Sequence, residues 1–177
     1  MSDGPGPAPD DGDGEPRPLA VVDLDGVVAD VRHRLRHIRG GRKDWDAFFA
    51  AAPEDPPHPE GLAIVRSLAE AHEVVFLSGR PERCRRDTEE WLERHGLVGH
   101  RVVLRPAGRR QPAAGLKVQL LRRLAAGRRV AVVVDDDEAV LAAMAAAGHP
   151  TFHADWERRP ERDDATLREA QEGEGRT

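Results

Sequence analysis

The stretch Val21-Val22-Asp23-Leu24-Asp25-Gly26-Val27-Val28-Ala29-Asp30 decides the fold. An apolar run, Leu19 to Val22, ends in two carboxylates two positions apart, and a glycine follows Asp25 at once. Residues i and i+2 of a strand face the same way. Asp23 and Asp25 can therefore both face one pocket where the strand gives way to a loop. Gly26 lets the backbone turn sharply and leaves room for a ligand. Neighbouring carboxylates repel unless a cation sits beside them. A hard divalent ion such as Mg²⁺ suits that role, and phosphate groups commonly accompany it. The plain alternative is a strand running into an Asp/Gly turn, since both residues are turn formers.

The rest of the chain decides between these readings. Outward from this strand, Val31 to Arg39 reads as a short basic helix. Asp44 to Ala52 reads as a helix packing Trp45, Phe48 and Phe49 inward. The proline-rich run Pro53 to Pro59 is a loop, and Gly61 to His72 an amphipathic helix. Glu73 to Leu77 is a buried strand leading into Ser78-Gly79-Arg80-Pro81. Pro81 suits the first turn of a helix that runs to about His95 and stops at Gly96. Val102 to Leu104 is a short strand, Pro106 to Gly115 a loop, and Leu116 to Ala126 a helix. Arg129 to Val134 is the most apolar strand and ends in Asp135-Asp136-Asp137. Glu138 to Ala147 is a helix, and Thr151 to His153 a last strand.

Strands alternating with helices predict an α/β fold: a Rossmann-like, three-layer arrangement of a parallel five-stranded sheet with helices on both faces. Ligands bind such sheets at the carboxyl ends of the strands, where Asp23, Asp25, Ser78, Asp135 and Asp136 fall. The gaps between these motifs are filled by the elements already named, so no large cap domain is expected. Residues 1–17, rich in Asp, Gly and Pro, read as a disordered acidic tail. Residues 18–156 form the domain, and 157–177 a charged C-terminal tail, helical around Ala165 to Gln171.

Composition narrows the class. The one cysteine, Cys84, excludes an internal disulfide and fits a reducing compartment. The first residues lack the pattern of a signal peptide, and no apolar run reaches membrane-spanning length, so a cytoplasmic location is expected. The net charge of −5 is set by the tails: 1–18 hold five acids and one arginine, 157–177 seven acids and five arginines, and the body between is +1. Basic residues bunch at 32–43 and at 80–86, as on a solvated surface or beside an anionic substrate.

Taken singly, each further motif has a plain reading. Ser78 can be an N-cap. Asp135 to Asp137 can cap the helix that follows them, although three acids exceed what a cap needs. Lys117 can be surface. Yet only two of the 27 basic residues are lysines, Lys43 and Lys117, and a compact point charge at that position suits a phosphate site.

Asp-x-Asp-Gly, a strand ending in Ser-Gly-Arg, a Lys at a helix start and a strand ending in Asp-Asp follow the four-motif order of the haloacid dehalogenase (HAD) superfamily of phosphohydrolases. The chain resembles that family over residues 19–156. The resemblance implies that Asp23 attacks phosphorus and forms an aspartyl-phosphate. It implies that Asp25 protonates the leaving alcohol and later takes a proton from water. Mg²⁺ would be held by Asp23, the backbone carbonyl of Asp25 and Asp136, with Asp135 in support. Ser78 and the N–H groups of Gly79 and Arg80, at a helix start, would bind phosphoryl oxygens. Lys117 would neutralise charge on the phosphoryl group and the nucleophile.

A closer resemblance joins Asp44-Trp45, Phe48-Phe49, Ser78-Gly79-Arg80, Trp91-Leu92, Leu104-Arg105-Pro106, Lys117 and Val134-Asp135-Asp136. Together these are similar to the 3′-phosphatase domain of phage-type polynucleotide kinase-phosphatases. It implies a phosphorylated substrate such as a nucleic acid 3′ end, with Arg34 and Arg80 as further substrate contacts. Ala113 and Arg109 depart from that pattern, where an acid often stands, and leave substrate choice open. No GxxxxGK[ST] motif occurs, so no kinase half is present in the sequence. The rivals are a small-molecule phosphatase of the same fold, acting on a nucleotide or sugar phosphate, and a receiver-type phosphoacceptor module. The order of the motifs argues against the receiver, in which the acidic pair comes first and the phosphoacceptor Asp later.

Overall fold

The computed structural model describes residues 16–109 and 111–157. The expected disorder before residue 16 and the helix expected around Ala165 to Gln171 lie outside the described residues. Five parallel strands form one sheet in the order β3-β2-β1-β4-β5: β1 (Leu19–Val22), β2 (Glu73–Pro81), β3 (Arg101–Arg105), β4 (Val130–Asp135) and β5 (Thr151–His153). The all-apolar β1 takes the centre because a parallel strand flanked on both sides has no wet face. Its neighbours are in register, with Val22 opposite both Phe76 and Val134. The polar residues that follow these positions therefore emerge at one end of the sheet.

The strand period sorts the core into two layers. Ala20 and Val22, with Val74 and Phe76, pack against α2 (Pro59–Ala71) and α3 (Arg85–Arg94) through Val65, Trp91 and Leu92. Leu19 and Val21, with Val75 and Leu77, pack against α4 (Ala113–Ala125) and α5 (Glu138–Ala146) through Leu121, Val140 and Met144. This is the three-layer fold expected, with no large cap among the described residues. The segment between β1 and β2 instead builds a small lobe. A 3-10 helix, Arg32–His37, and α1 (Trp45–Ala50) enclose Val31, Leu35, Ile38, Phe48, Phe49 and Cys84.

Four local expectations are corrected. The basic helix after β1 is a 3-10 helix of six residues, short because Gly40 and Gly41 follow it. Pro81 does not open an α-helix. It ends β2 in an extended conformation, a 3-10 turn follows at Glu82–Cys84, and α3 starts at Arg85. The helix carrying Lys117 begins at Ala113, three residues earlier than expected, because Pro112 serves as its N-cap and Gly115 is tolerated inside it. Glu157, read as the first residue of the charged tail, is buried, with Oε2 3.0 Å from Nε2 of His58.

Two glycines fix the path beside β1. Gly26 has φ +81°, the left-handed region that favours glycine. Gly61, in the first turn of α2, lies so close to the loop after β1 that a Cβ there would fall 2.1 Å from the carbonyl oxygen of Val27. That loop is further held by Trp156, whose Nε1 donates to the same oxygen at 2.9 Å.

Candidate active site

Asp23 follows β1 directly, and its amide donates to the carbonyl of Val134 on β4 at 2.9 Å. Its Oδ1 accepts from the Leu24 amide at 2.8 Å. Nζ of Lys117 lies 2.8 Å from Asp23 Oδ2 and donates to Oδ2 of Asp135 at 2.7 Å. No well-directed hydrogen bond reaches Asp23 Oδ2, although the atom is buried. Carboxylate oxygens of Asp23, Asp135 and Asp136 lie within 4.8 Å of one another. Asp23 and Asp135 thus converge on one ammonium, with Asp136 beside them. Burial drives Asp23 up to about 7, against the pull of Lys117 and with the charges of Asp135 and Asp25 adding to the rise. Burial likewise drives Asp135 up to about 6, again against Lys117 and with Asp136 adding. Lys117 is pushed the other way by its neighbours: burial opposes its charge, but Asp135 and Asp23 hold the proton on it above the usual lysine range.

Of the acidic triplet, only Asp137 caps α5, its Oδ1 accepting from the Ala139 amide at 2.8 Å. Asp135 turns inward to Lys117, and its other oxygen accepts from the Asp137 amide at 3.0 Å. These oxygen donors suit a hard cation such as Mg²⁺ in number and kind. The crowding of acid charge around Asp23 Oδ2 is what such an ion would relieve.

Asp25 belongs to a second cluster. Its Oδ1 accepts from Nη2 of Arg34 at 2.7 Å and from Nε of Arg80 at 2.8 Å. Both guanidiniums also bind Asp55: Arg34 donates to its two oxygens at 2.8 and 2.9 Å, and Arg80 to Oδ2 at 2.9 Å. Nε2 of His33 lies 2.8 Å from Asp55 Oδ1. Arg34, Arg80, Asp25 and Asp55 are all buried. Burial alone would raise Asp25, but the charges of Arg34 and Arg80 outweigh it and hold the carboxyl at about 2. Asp25 is therefore ionised, with its carboxylate engaged by the two guanidiniums.

The 3-10 helix Arg32–His37 supplies Arg34, whose guanidinium lies 4.3 Å from the centre of the Phe48 ring. This explains the aromatics of α1: Phe48 and Phe49 are core of the lobe, and Phe48 forms the seat on which Arg34 rests. Asp55 was not a candidate from the sequence. It sits in the proline-rich loop, where no periodicity marks it, and is fixed by Nε1 of Trp91, which donates to its carbonyl oxygen at 2.8 Å. The only available signal is that two arginines placed beside one aspartate need a second acid.

Ser78 is buried, and its Oγ accepts from the Arg80 amide at 3.2 Å. It is not an N-cap. Gly79 and Arg80 lie within the extended β2 rather than at a helix start. Asp23, Lys117, Asp135 and Asp136 are brought together, and Asp25 lies in the neighbouring group with Arg34, Arg80 and Asp55. Arg34 and Arg80 are brought to Asp25 and Asp55, not held out as open arms.

Residues 18–155 match the family described as the polynucleotide kinase PNKP phosphatase domain. No curated protein matches the chain. Among solved structures, a chain of the Pnkp1/Rnl/Hen1 RNA repair complex is similar at 20% identity and a TM-score of 0.64, over 77% of this chain and 42% of that one. This chain thus spans less than half the length of that relative. The class C acid phosphatase from Bacillus anthracis is similar at 15% identity and a TM-score of 0.57, over 93% of this chain and 82% of that one. A HAD family enzyme from Bacteroides thetaiotaomicron, in complex with magnesium and inorganic phosphate, is similar at 12% identity and a TM-score of 0.51, over 82% of this chain and 98% of that one. Among the described residues no helix is long and apolar enough to cross a membrane.

Proposed function

This chain belongs to the family of PNKP phosphatase domains and is a HAD-type phosphatase; we propose that it removes a 3′-terminal phosphate from a nucleic acid or nucleotide through an aspartyl-phosphate on Asp23. The observation that carries the chemistry is the pairing of unlike carboxylates at the end of β1. Asp23 touches Lys117 and faces the acid-rich group, while Asp25, two residues on, is gripped by two guanidiniums.

Asp23 attacks phosphorus with Oδ2, the oxygen without a directed hydrogen bond. Lys117 neutralises charge shared between this oxygen and the phosphoryl group. Asp23, Asp136 and the carbonyl of Asp25 would hold Mg²⁺, which when bound would supply charge neutralisation between an anionic nucleophile and an anionic substrate. Asp135 orients Lys117. Ser78 Oγ and the amide of Gly79 donate to phosphoryl oxygens. Asp25, in the ionised form described here, takes the proton of water in the second step, and the proton it gains there is the one it gives to the leaving alcohol of the next turnover. Arg34, Arg80 and Asp55 position Asp25; Arg34 and Arg80, expected as direct substrate contacts, are engaged with Asp25 and Asp55.

Similarity to a chain of an RNA repair complex supports a nucleic acid end as the substrate class. Among the described residues no large cap covers the carboxyl end of the sheet, which suits a polymer end. The test compares 3′-phosphorylated and 5′-phosphorylated oligonucleotides, 3′-mononucleotides and sugar phosphates in Mg²⁺. The 3′-phosphorylated oligonucleotide should have the highest kcat/KM. A sugar phosphate in first place would replace this reading with that of a small-molecule phosphatase.

A further inference from the structure

We infer that Trp156 is a positioning residue of the site: it fixes the peptide group that joins Asp25 to Gly26, an inference that rests on the reading above in which the Asp25 carbonyl holds Mg²⁺. The turn after Asp25 is tightly wound. The amides of Val28 and Ala29 both donate to the carbonyl of Leu24, at 2.8 and 2.9 Å. The amide of Gly26 donates to the carbonyl of Ala29 at 2.9 Å. A trans peptide group is planar, with its N–H and C=O pointing opposite ways. The bond from Gly26 to Ala29 therefore sets the direction of the Asp25 carbonyl, and whatever holds residues 27–29 holds that carbonyl.

The turn is tied from two sides. The loop before α2 supplies one set of bonds: the His58 amide donates to the carbonyl of Val28, and the Asp30 amide donates to that of Pro56, each at 2.8 Å. The far end of the chain supplies the other. Nε1 of Trp156 donates to the carbonyl of Val27 at 2.9 Å. Oε2 of the next residue, Glu157, lies 3.0 Å from Nε2 of His58. The Val27 oxygen is the same one that a Cβ on Gly61 would strike, so α2 confines it while the indole bonds it.

The segment that carries Trp156 is itself fastened to the acids after β4. The amide of Ala154 donates to the carbonyl of Asp135 at 2.9 Å. Nε2 of His153 lies 3.2 Å from the carbonyl oxygen of Asp136. Ala154 is buried, and Trp156 packs on the same core as Ala20 and Val22. Residues 153–156 thus run from the acidic turn after β4 to the turn after Asp25, and set the spacing of the two turns that supply the cation site. The family match ends at residue 155, so the bond from Trp156 lies beyond it. Tryptophan suits the task because it joins a large apolar body to one N–H donor.

The experiment compares Trp156→Phe, which keeps a packing ring and loses the donor, with Leu68→Ala, which trims the same core from the C-terminal half of α2. Isothermal titration calorimetry with Mg²⁺, in the absence of substrate, reads the site directly. Trp156→Phe should raise the Kd for Mg²⁺ about tenfold, as loss of a group that orients a metal ligand does, and Leu68→Ala should leave it within about twofold of wild type. In p-nitrophenyl phosphate hydrolysis the Mg²⁺ concentration for half activation should rise in step, with KM unchanged and kcat restored at saturating Mg²⁺. In the metal-free protein, hydrogen exchange at the Gly26 amide should quicken in Trp156→Phe more than exchange at Val21 in β1. An unchanged Kd in Trp156→Phe, or an equal rise in Leu68→Ala, would overturn the assignment. A wild-type protein that binds no Mg²⁺ would overturn the metal reading instead, while exchange at Gly26 still judges the hold of Trp156 on the peptide group.

Discussion

The two carboxylate clusters beside β1 are neighbours with opposite electrostatic characters. Around Asp25 and Asp55 stand two guanidiniums, each bound to both acids, so four buried charges cancel among themselves. Lys117 touches two acids, Asp23 and Asp135, and a carboxylate oxygen of Asp136 lies within 4.8 Å of theirs. The titration of the acids follows. Asp25 is held down at about 2 because the arginine charges outweigh its burial. Asp23 is driven up to about 7 because burial outweighs what a single lysine restores. The first cluster is complete as a rigid support. The second gathers acids, and on the reading proposed above a cation and a phosphoryl group would complete it.

Substitutions can break this contrast. The largest effect is expected at the nucleophile. Asp23→Asn keeps the shape but removes the attacking charge, and hydrolysis of p-nitrophenyl phosphate should fall by several orders of magnitude. Activity near wild type would exclude Asp23 as the nucleophile.

Next in size is the balanced cluster. Asp55→Ala leaves two buried guanidiniums sharing one carboxylate, and removing a member of a buried ionic network costs about 3–5 kcal/mol. A chemical denaturation midpoint should report that loss, and kcat should drop because Asp25 loses its alignment. A variant as stable as wild type would show that Arg34 and Arg80 do not depend on Asp55.

The acid-rich cluster should respond differently. Asp136→Asn removes one of several like charges, so in EDTA its stability should stay within about 1 kcal/mol of wild type or exceed it. A loss as large as that of Asp55→Ala would dissolve the distinction between the clusters. The smallest effect is expected from His33→Ala, which removes a half-exposed partner of Asp55. It should change stability by no more than about 1 kcal/mol and leave p-nitrophenyl phosphate hydrolysis intact.

What the sequence made legible was local. The apolar run Leu19 to Val22 and the alternation of its side chains between two layers follow from a period of two. Each motif residue at a strand end could be placed because the strand itself could be read. Asp55 could not, since its role comes from Arg34, Arg80 and Trp91, which lie 21, 25 and 36 residues away. The same limit hid the burial of Arg34 and Arg80. An arginine near a phosphate motif looks like a substrate contact until the acid that engages it from another loop is seen. Pro81 misled for a different reason: its fixed φ serves an extended segment as readily as a helix start.

On the reading proposed above, the cluster at Asp23, Asp135 and Asp136 takes one divalent cation and the cluster at Asp25 and Asp55 takes none. Thermal unfolding with and without Mg²⁺ tests this directly in wild type and in Asp136→Asn. Selective binding to the folded state stabilises by about 2.7 kcal/mol at a hundredfold excess over Kd. The account predicts a clear Mg²⁺-dependent rise in Tm for wild type and little or none for Asp136→Asn. An equal rise in both proteins would contradict it.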